Sequence, residues 1–439
     1  VRVALVARRV MAAPSLWDGH RSSGRRAILH WAALILSLLV PCRGNTEFLW
    51  ASMPSAYLHE RLPVRDPCWS GADHRLHIQE ETLRPSLQDP WVIRGEWRSH
   101  VGTDFVAARS LEGRWVDFGP QGPAGLAFAS AGGGISASKK CVEVAIWSRS
   151  DYAARGADGV LKLLDAYKLR SDPPPNQLLN LEFRLKGTTS TGLRVGRTLS
   201  LEPIFGDRAS SLRFTAAFNF FSLQRYQRVL SNGHLTFRDG YEFKADAFAQ
   251  DSTKAFDGFG EKNTRGFGKS LDFGLIWEPS DATFLNLSLV DVLWRAAIDR
   301  VATLDARLDS NVRTRNQEGY LEVLPSITGR NSSTDLVLKN PVLPAFSGGF
   351  RLLGLGDDAS RNVVFGFRVE RASMATLKTL WSSVPTLMGC SLSAEREFEF
   401  GTYGLGVGCS SVKFGVRSSA VNPNQARSFG WHLTASTPF

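Results

Sequence analysis

Apolar and polar residues alternate with period two along most of the chain after residue 90, and this spacing predicts strands rather than helices. At the end of the chain, Phe429, Trp431, Leu433, Ala435, Thr437 and Phe439 fall on one side of an extended strand. Ser428, Gly430, His432, Thr434, Ser436 and Pro438 fall on the other. The first such strand has Trp91, Ile93, Gly95 and Trp97 on one face and Val92, Arg94, Glu96 and Arg98 on the other. An aromatic face backed by a charged one suits a wall with lipid on one side and water on the other.

The same rule recurs at Leu181–Leu185, Leu193–Val195, Leu212–Phe218, Leu271–Trp277, Leu285–Leu289, Val363–Val369 and Tyr403–Cys409. Asp239-Gly240 and Glu278-Pro279-Ser280-Asp281 read as hairpin turns between strands. Opposite Tyr241, Phe243 and Ala245 stand Glu242, Lys244 and Asp246, and Asp305, Arg307 and Asp309 alternate with Leu304, Ala306 and Leu308. Ionised residues in a row need water or one another, so these six are candidate lumen-lining residues. Exceptions to period two are few. Asp151–Leu169 carries a helical pattern at Val160, Leu161, Leu164 and Tyr167, and Met374–Ser383 reads as a helical loop. Ala131-Gly132-Gly133-Gly134 reads as a turn, and Asn331–Pro344 as a long polar loop.

Composition arbitrates among the membrane classes. After residue 45 there is no run of the roughly 20 apolar residues that a spanning helix needs. Hydrophobic residues make up 43% of the 439, as expected where alternation hides them. The one apolar run, Ala27–Val40, follows Arg21, Arg25 and Arg26 and precedes Pro41-Cys42-Arg43-Gly44, the order of a secretory signal peptide. Met11 is the expected start and Gly44 the expected cleavage position; a lipoprotein box at Cys42 is disfavoured by Pro41. Lys and Arg exceed Asp and Glu by 10, and seven Arg against one Asp in residues 1–44 account for six of these. The basicity is therefore mostly leader, and no basic cluster with interleaved aromatics points to nucleic acid.

The alternating strands, the leader and the terminal Phe439 resemble those of bacterial outer-membrane β-barrel proteins, whose last strand is read by the barrel-assembly machinery. The resemblance implies an all-β fold: a transmembrane antiparallel β-barrel of about 12 to 16 strands. It implies three regions: 1–44 leader, 45–90 an irregular periplasmic segment or plug broken by five prolines, and 91–439 the barrel. Phe429, Trp431, Leu433 and Phe439 become the barrel-assembly signal, and outer-membrane lipid, the assembly machinery and a small solute the expected partners. Ser428, Gly430, Leu433 and Ala435 are also similar to a mitochondrial β-signal, against which the leader argues. Gly266–Trp277 is similar to strands of uncharacterised proteobacterial and conjugal-transfer barrels, while the Asn-Pro-Ala hatch sequence of fatty-acid-transporter barrels is not found.

No constellation calls for a catalyst or cofactor. Ser231-Asn232-Gly233 resembles part of the His-x-Ser-Asn-Gly motif of outer-membrane phospholipases, but Val229 stands where the base would be, and an Asn-Gly turn is the plainer reading. His59, His74 and His77 lack metal-ligand spacing. Cys68, Cys141, Cys390 and Cys409 form no metal framework, and although Cys390 and Cys409 lie on neighbouring strands, single buried cysteines are expected. The expected function is a porin-like channel or facilitator for a small solute. The alternative is a non-conducting structural or assembly component of an envelope or secretion complex.

Overall fold

The computed structural model describes most of residues 91–438; residues 1–90, 105–124, 140, 170–173, 202–211, 238–240, 254–263, 281–282, 316–320, 341, 353–362, 372–375, 386–389, 410–411, 423–424 and 439 lie outside the described set. The expected leader, the 45–90 segment, the Asp239-Gly240 turn and Phe439 are therefore not among the described residues.

Seventeen strand segments form one sheet. They are β1 (Val92–Thr103), β2 (Gly125–Lys139), β3 (Val142–Gly156), β4 (Leu178–Asn180), β5 (Phe183–Ser200) and β6 (Leu212–Phe237), followed by β7 (Tyr241–Asp251), β8 (Gly266–Ser280), β9 (Thr283–Arg315), β10 (Leu321–Lys339) and β11 (Leu343–Leu352). The set closes with β12 (Val363–Arg371), β13 (Thr376–Pro385), β14 (Cys390–Glu397), β15 (Thr402–Cys409), β16 (Val412–Ser418) and β17 (Ser428–Pro438). The single helix among the described residues, α1, spans Asp158–Leu169. Three staves are split in two. β4 and β5 both pair with β6, β7 and β8 both lie between β6 and β9, and β10 and β11 both pair with β9. The result is a closed, antiparallel barrel of 14 strands. Closure comes from β1 against β17, with Val92 opposite Pro438 and Gly102 opposite Ser428. The start of β1 and the end of β17 thus share one rim, called here the terminal end; the opposite rim is the distal end.

The barrel is apolar outside and polar inside, the inverse of a soluble protein. Ile146, Phe267 and Leu405 are 65%, 75% and 75% exposed, whereas Glu96, Arg194 and Asp272 are buried on the opposite face. The terminal strand obeys this rule: Trp431 pairs with Val416 and Leu433 with Phe414, continuing the outward row of Tyr403, Leu405 and Val407.

Several expectations change. Gly132–Gly134 is no turn but the middle of β2, because the half-buried Trp97 indole lies flat over Gly133 and Gly95, where a Cβ would strike the ring. Ser231-Asn232-Gly233 is no turn either; it continues β6, with Gly233 at φ +155 and the Ser231 hydroxyl donating to the Leu181 carbonyl at 2.7 Å. The Asn331–Pro344 region is strand through Lys339 and again from Leu343, held by pairing of Asn331 with Leu304 and Leu343 with Val290. Within Met374–Ser383, residues from Thr376 onward are strand β13, since Leu377 and Leu380 find partners on β12. The helix begins at Asp158 rather than Asp151, as β3 runs to Gly156; Asp158 sits in its first turn and pairs with Lys162 at 2.7 Å. Cys390 and Cys409 face each other across β14 and β15 and are joined in a disulfide, so they are not single buried thiols, and Cys141 is disulfide-bonded as well.

Strands β6 and β9, with 26 and 33 residues, far exceed the crossing length of about 9–11 residues. Together with β5, β7 and β10 they carry the barrel well past the membrane on the distal side. On that extension, the face that is outward lower down carries Leu185, Val229, Leu235, Phe243 and Leu308, all buried together with Val160, Leu161 and Leu164 of α1.

Candidate functional site: the barrel interior and its distal mouth

Inward side chains of β3, β5, β6, β8 and β9 meet in an ionic network. Arg149 reaches Asp151 at 2.7 Å and Asp291 at 2.8 Å. Arg194 lies 3.3 Å from Asp272 and 3.8 Å from Glu143. Asn219 donates to Asp272 at 2.9 Å and to Ser270 at 3.2 Å, and Ser130 donates to Asp151. The contact from Arg149 on β3 to Asp291 on β9 crosses four strand positions of the ring, which the geometry allows because β9 bulges inward there. Asp291 and Leu293 take φ of 58 and 55, the register slips twice against β8, and the Asp291 amide donates to Asp272 at 2.9 Å. Two guanidiniums thus hold four carboxylates, all of them largely buried. Such a network has little net worth against an apolar filling, yet losing one partner is expensive.

An apolar patch is interleaved with this network on the same inward faces, Trp147 lying between Glu143 and Arg149 along β3 and Phe221 next above Asn219 on β6. Trp147, Phe221, Leu223, Tyr226, Trp294 and Ile298 form one buried cluster on the inward faces. The Phe221 and Trp294 rings stack with centroids 5.3 Å apart, and Trp147 lies 5.9 Å from Phe221. Ionised groups adjoin these rings, with Arg149 two residues from Trp147 on the same face of β3.

The distal rim is partly closed. The turn between β14 and β15 folds inward and places Phe400 in one cluster with Leu126 and Phe128 of β2 and Leu377 of β13. Strands β2 and β13 are six positions apart round the ring, so this cluster reaches from one wall toward the other. The turn is fixed by Glu397, which accepts from the Phe400 amide at 3.2 Å and the Thr402 hydroxyl at 3.0 Å. Phe128 stands 4.9 Å from Phe400 and 4.8 Å from His100, whose Nε2 lies 2.5 Å from the Ser428 hydroxyl.

Beside this cap, between β5, β6, β7 and β9, a cavity of about 480 Å³ is lined by Arg184, Arg228, Leu230, Asp246, Phe248 and Asp305, among others. The Arg228 guanidinium sits 5.8 Å from the Phe248 ring centre. Asp246 and Asp305 are two of the six charged residues expected to line the lumen. Lys244 stands opposite Asp309 and Asp246 opposite Arg307 in the β7–β9 register, so opposite charges are adjacent. Glu242, Lys244, Asp246, Asp305 and Arg307 are exposed and Asp309 half-buried. They belong to the inward face of the distal extension, around the mouth, rather than to the enclosed ionic network. That network had escaped the sequence reading. Its one legible sign is Asp291 between Val290 and Val292, where an acid interrupts an apolar run.

Of the expected assembly signal, Phe429 is outward and exposed, and Trp431 and Leu433 are half-buried in the outward row. Among the described residues no group of three or more His, Cys, Asp or Glu is arranged to hold a metal ion.

A closed antiparallel barrel with an exposed apolar wall and a buried polar interior defines the class: a transmembrane β-barrel of the bacterial outer-membrane type. No protein-family model and no curated protein matches the sequence. Among solved structures, a TodX deltaS2S3 mutant, described as a monoaromatic hydrocarbon channel, is similar with TM-score 0.43 and 9% identity over 80% of this chain and 91% of that one. The P. putida toluene transporter TodX is similar with TM-score 0.39 and 9% identity over 80% and 90%. A Pseudomonas aeruginosa FadL homologue is similar with TM-score 0.28 and 8% identity over 79% and 90%.

Proposed function

We propose that the protein resides in the outer membrane of a Gram-negative bacterium, with its terminal end in the periplasm. There it lets a small, partly apolar solute pass from the distal mouth through the lumen. The observation that carries this reading is the aromatic cluster of Trp147, Phe221, Tyr226 and Trp294 on the inward faces. Rings on an inward face offer contact to an apolar solute that a lumen serving ions alone does not need. The solute would enter by the 480 Å³ mouth cavity, whose Arg228 and Phe248 offer a charge and a ring together. Passage requires movement, because the Phe400 turn and the Arg149–Asp291 contact both lie across the interior.

The filled interior equally favours a second reading, a non-conducting barrel that serves an envelope or secretion complex. Two measurements on the purified full-length protein separate the readings: ion current in planar bilayers, and uptake of small aromatic and sugar solutes into proteoliposomes. Faster entry of the aromatic solute, reduced by Trp294→Ala, supports solute passage. Absence of both current and uptake at all voltages refutes it and leaves the scaffold.

A further inference from the structure

On the outer wall, three basic residues stand side by side on three successive strands. Lys269 of β8 is directly opposite Arg295 of β9, and Arg295 is directly opposite Lys339 of β10. All three are exposed, and no described carboxylate pairs with any of them. Adjacent strands lie about 4.8 Å apart, so the three Cβ positions fall within about 10 Å. The row continues onto Phe220 of β6, which is opposite Lys269 and exposed. Apolar residues bound it on both sides: Phe267, Ala297 and Val337 toward the distal end, and Leu271 and Leu293 toward the terminal end. The nearest acids on β8 and β9, Asp272 and Asp291, face inward, and those nearest on the outward face, Asp299 and Asp335, lie beyond that distal apolar row, Asp335 accepting from the Arg300 amide at 2.8 Å.

Three adjacent like charges repel one another, and on a lipid-facing wall each is costly at the bilayer centre and nearly free at the interface. Their height identifies which applies. Lys269 is 11 residues above Ser280 at the terminal rim, counted along β8. The outward apolar residues of β8 begin at Trp277, eight residues below Lys269; at about 3.3 Å per residue and a tilt of about 35–45°, that is roughly 19–22 Å, high in an apolar band about 25 Å tall. The long stems of Lys and Arg can then extend along the wall and hold their charges among head groups.

We infer that Lys269, Arg295 and Lys339 form a docking site on the outer wall for the phosphorylated glycolipid of the outer leaflet, lipid A, whose phosphates supply the missing counter-charge. The inference rests on the membrane-spanning reading and its orientation, and is independent of whether a solute passes through the lumen.

The test uses full-length protein in phosphatidylcholine nanodiscs doped with lipid A carrying both phosphates, dephosphorylated lipid A, or phosphatidylglycerol, with retained lipid read by native mass spectrometry. Wild type should retain the phosphorylated lipid A at least about tenfold better than the dephosphorylated form, as three modest ion pairs imply. The K269Q/R295Q/K339Q variant should lose that preference. A control losing three charges elsewhere, K162Q/R371Q/K378Q, should keep it. Equal retention by the triple variant overturns the site, as does equal retention of phosphatidylglycerol. Complete displacement of the glycolipid by inorganic phosphate also overturns it and assigns the cations to the free anion. Heat-modifiable migration and outer-membrane recovery are measured for every protein. If wild type fails these, the membrane reading fails rather than the docking site. If the triple variant alone misfolds, R295Q should still lower the preference about threefold, and an unchanged preference refutes the site.

Discussion

Replacing Arg149 decides whether the interior beside β9 is dry or wet. Its guanidinium contacts Asp151 and Asp291 at 2.7 and 2.8 Å, and the three side chains are 14%, 13% and 4% exposed. In Arg149→Met the stem volume is kept and the charge is lost, so Asp291 stays beside Asp272, and Asp151 keeps only part of its support, including the Ser130 hydroxyl. Removing one partner of a buried pair costs about 3–5 kcal/mol, mostly as uncompensated charge; the same change at a solvated surface costs about 0–1 kcal/mol. Adding Asp291→Asn deletes the orphaned charge, and the double variant should recover about 2 kcal/mol of the loss. Urea unfolding of the protein in lipid vesicles, followed by Trp fluorescence at constant m-value, measures both. A single variant within about 1 kcal/mol of wild type, or a double variant no better than the single, would refute the tie and mean a water-filled lumen. If the tie is real, the double variant should also open more often in planar bilayers.

Four further outcomes follow from the same geometry. Phe400→Ala removes the tip of the distal cap and should raise bilayer current or solute uptake while costing about 3 kcal/mol of stability; unchanged flux would mean that the cap does not limit passage. Cys390→Ser with Cys409→Ser opens a link between residues 19 apart, and should lower stability by no more than about 3 kcal/mol, measurable as an earlier urea midpoint. Deleting Phe439 should reduce membrane-assembled protein in cells while the truncated chain still refolds in detergent; unchanged membrane levels would count against the terminal signal. Asp104, beyond the end of β1, accepts from the Leu126 amide at 2.7 Å, and burial is the largest influence raising its pKa above the usual 3.8. A raised acid pKa favours the protonated native form, so stability from this group is lost as pH climbs from 3.8 through the native value. Asp104→Asn should therefore gain on wild type across that window in pH-dependent unfolding and hold the gain above it.

The wall was legible in the sequence and the interior was not, for reasons visible at particular residues. Strand and face are set by nearest neighbours: Trp97, Trp431, Leu405 and Phe267 announce the outward side by alternation alone, and the 14 strands fall inside the expected range. The misread stretches are those whose local chemistry argues for a turn but whose partner overrules it. The glycines at 132–134 belong to β2 because they pair with both β1 and β3, and Gly133 leaves room for the Trp97 ring. Thr376–Ser383 belongs to β13 because every residue in it pairs with β12. The ionic network depends on which strands face one another across the lumen, and no period along the chain encodes that. Arg149 and Asp291 are 142 positions apart and meet only because two slips in register push β9 inward.

The helix shows the same logic applied to the outer face. On β5, Leu193 and Leu185 share one face eight residues apart, yet Leu193 is 43% exposed and Leu185 only 8%. Leu193 has lipid to cover it. Leu185 lies higher on the distal extension, where bare apolar surface would meet water and attract other chains. The chain inserts α1 between β3 and β4 at this height, and Val160, Leu161 and Leu164 join Leu185, Val229, Leu235 and Leu308 in one buried cluster. Period-two alternation therefore continues past the membrane edge unchanged, and the change of solvent is met by an added element rather than by a change of pattern. The boundary between the exposed Leu193 and the covered Leu185 then marks the distal edge of the bilayer on β5, on the opposite side of β6 from the basic row at Lys269. Two features, the helix over the distal part of β5 and the basic row at Lys269, thus fall at a similar height on the wall.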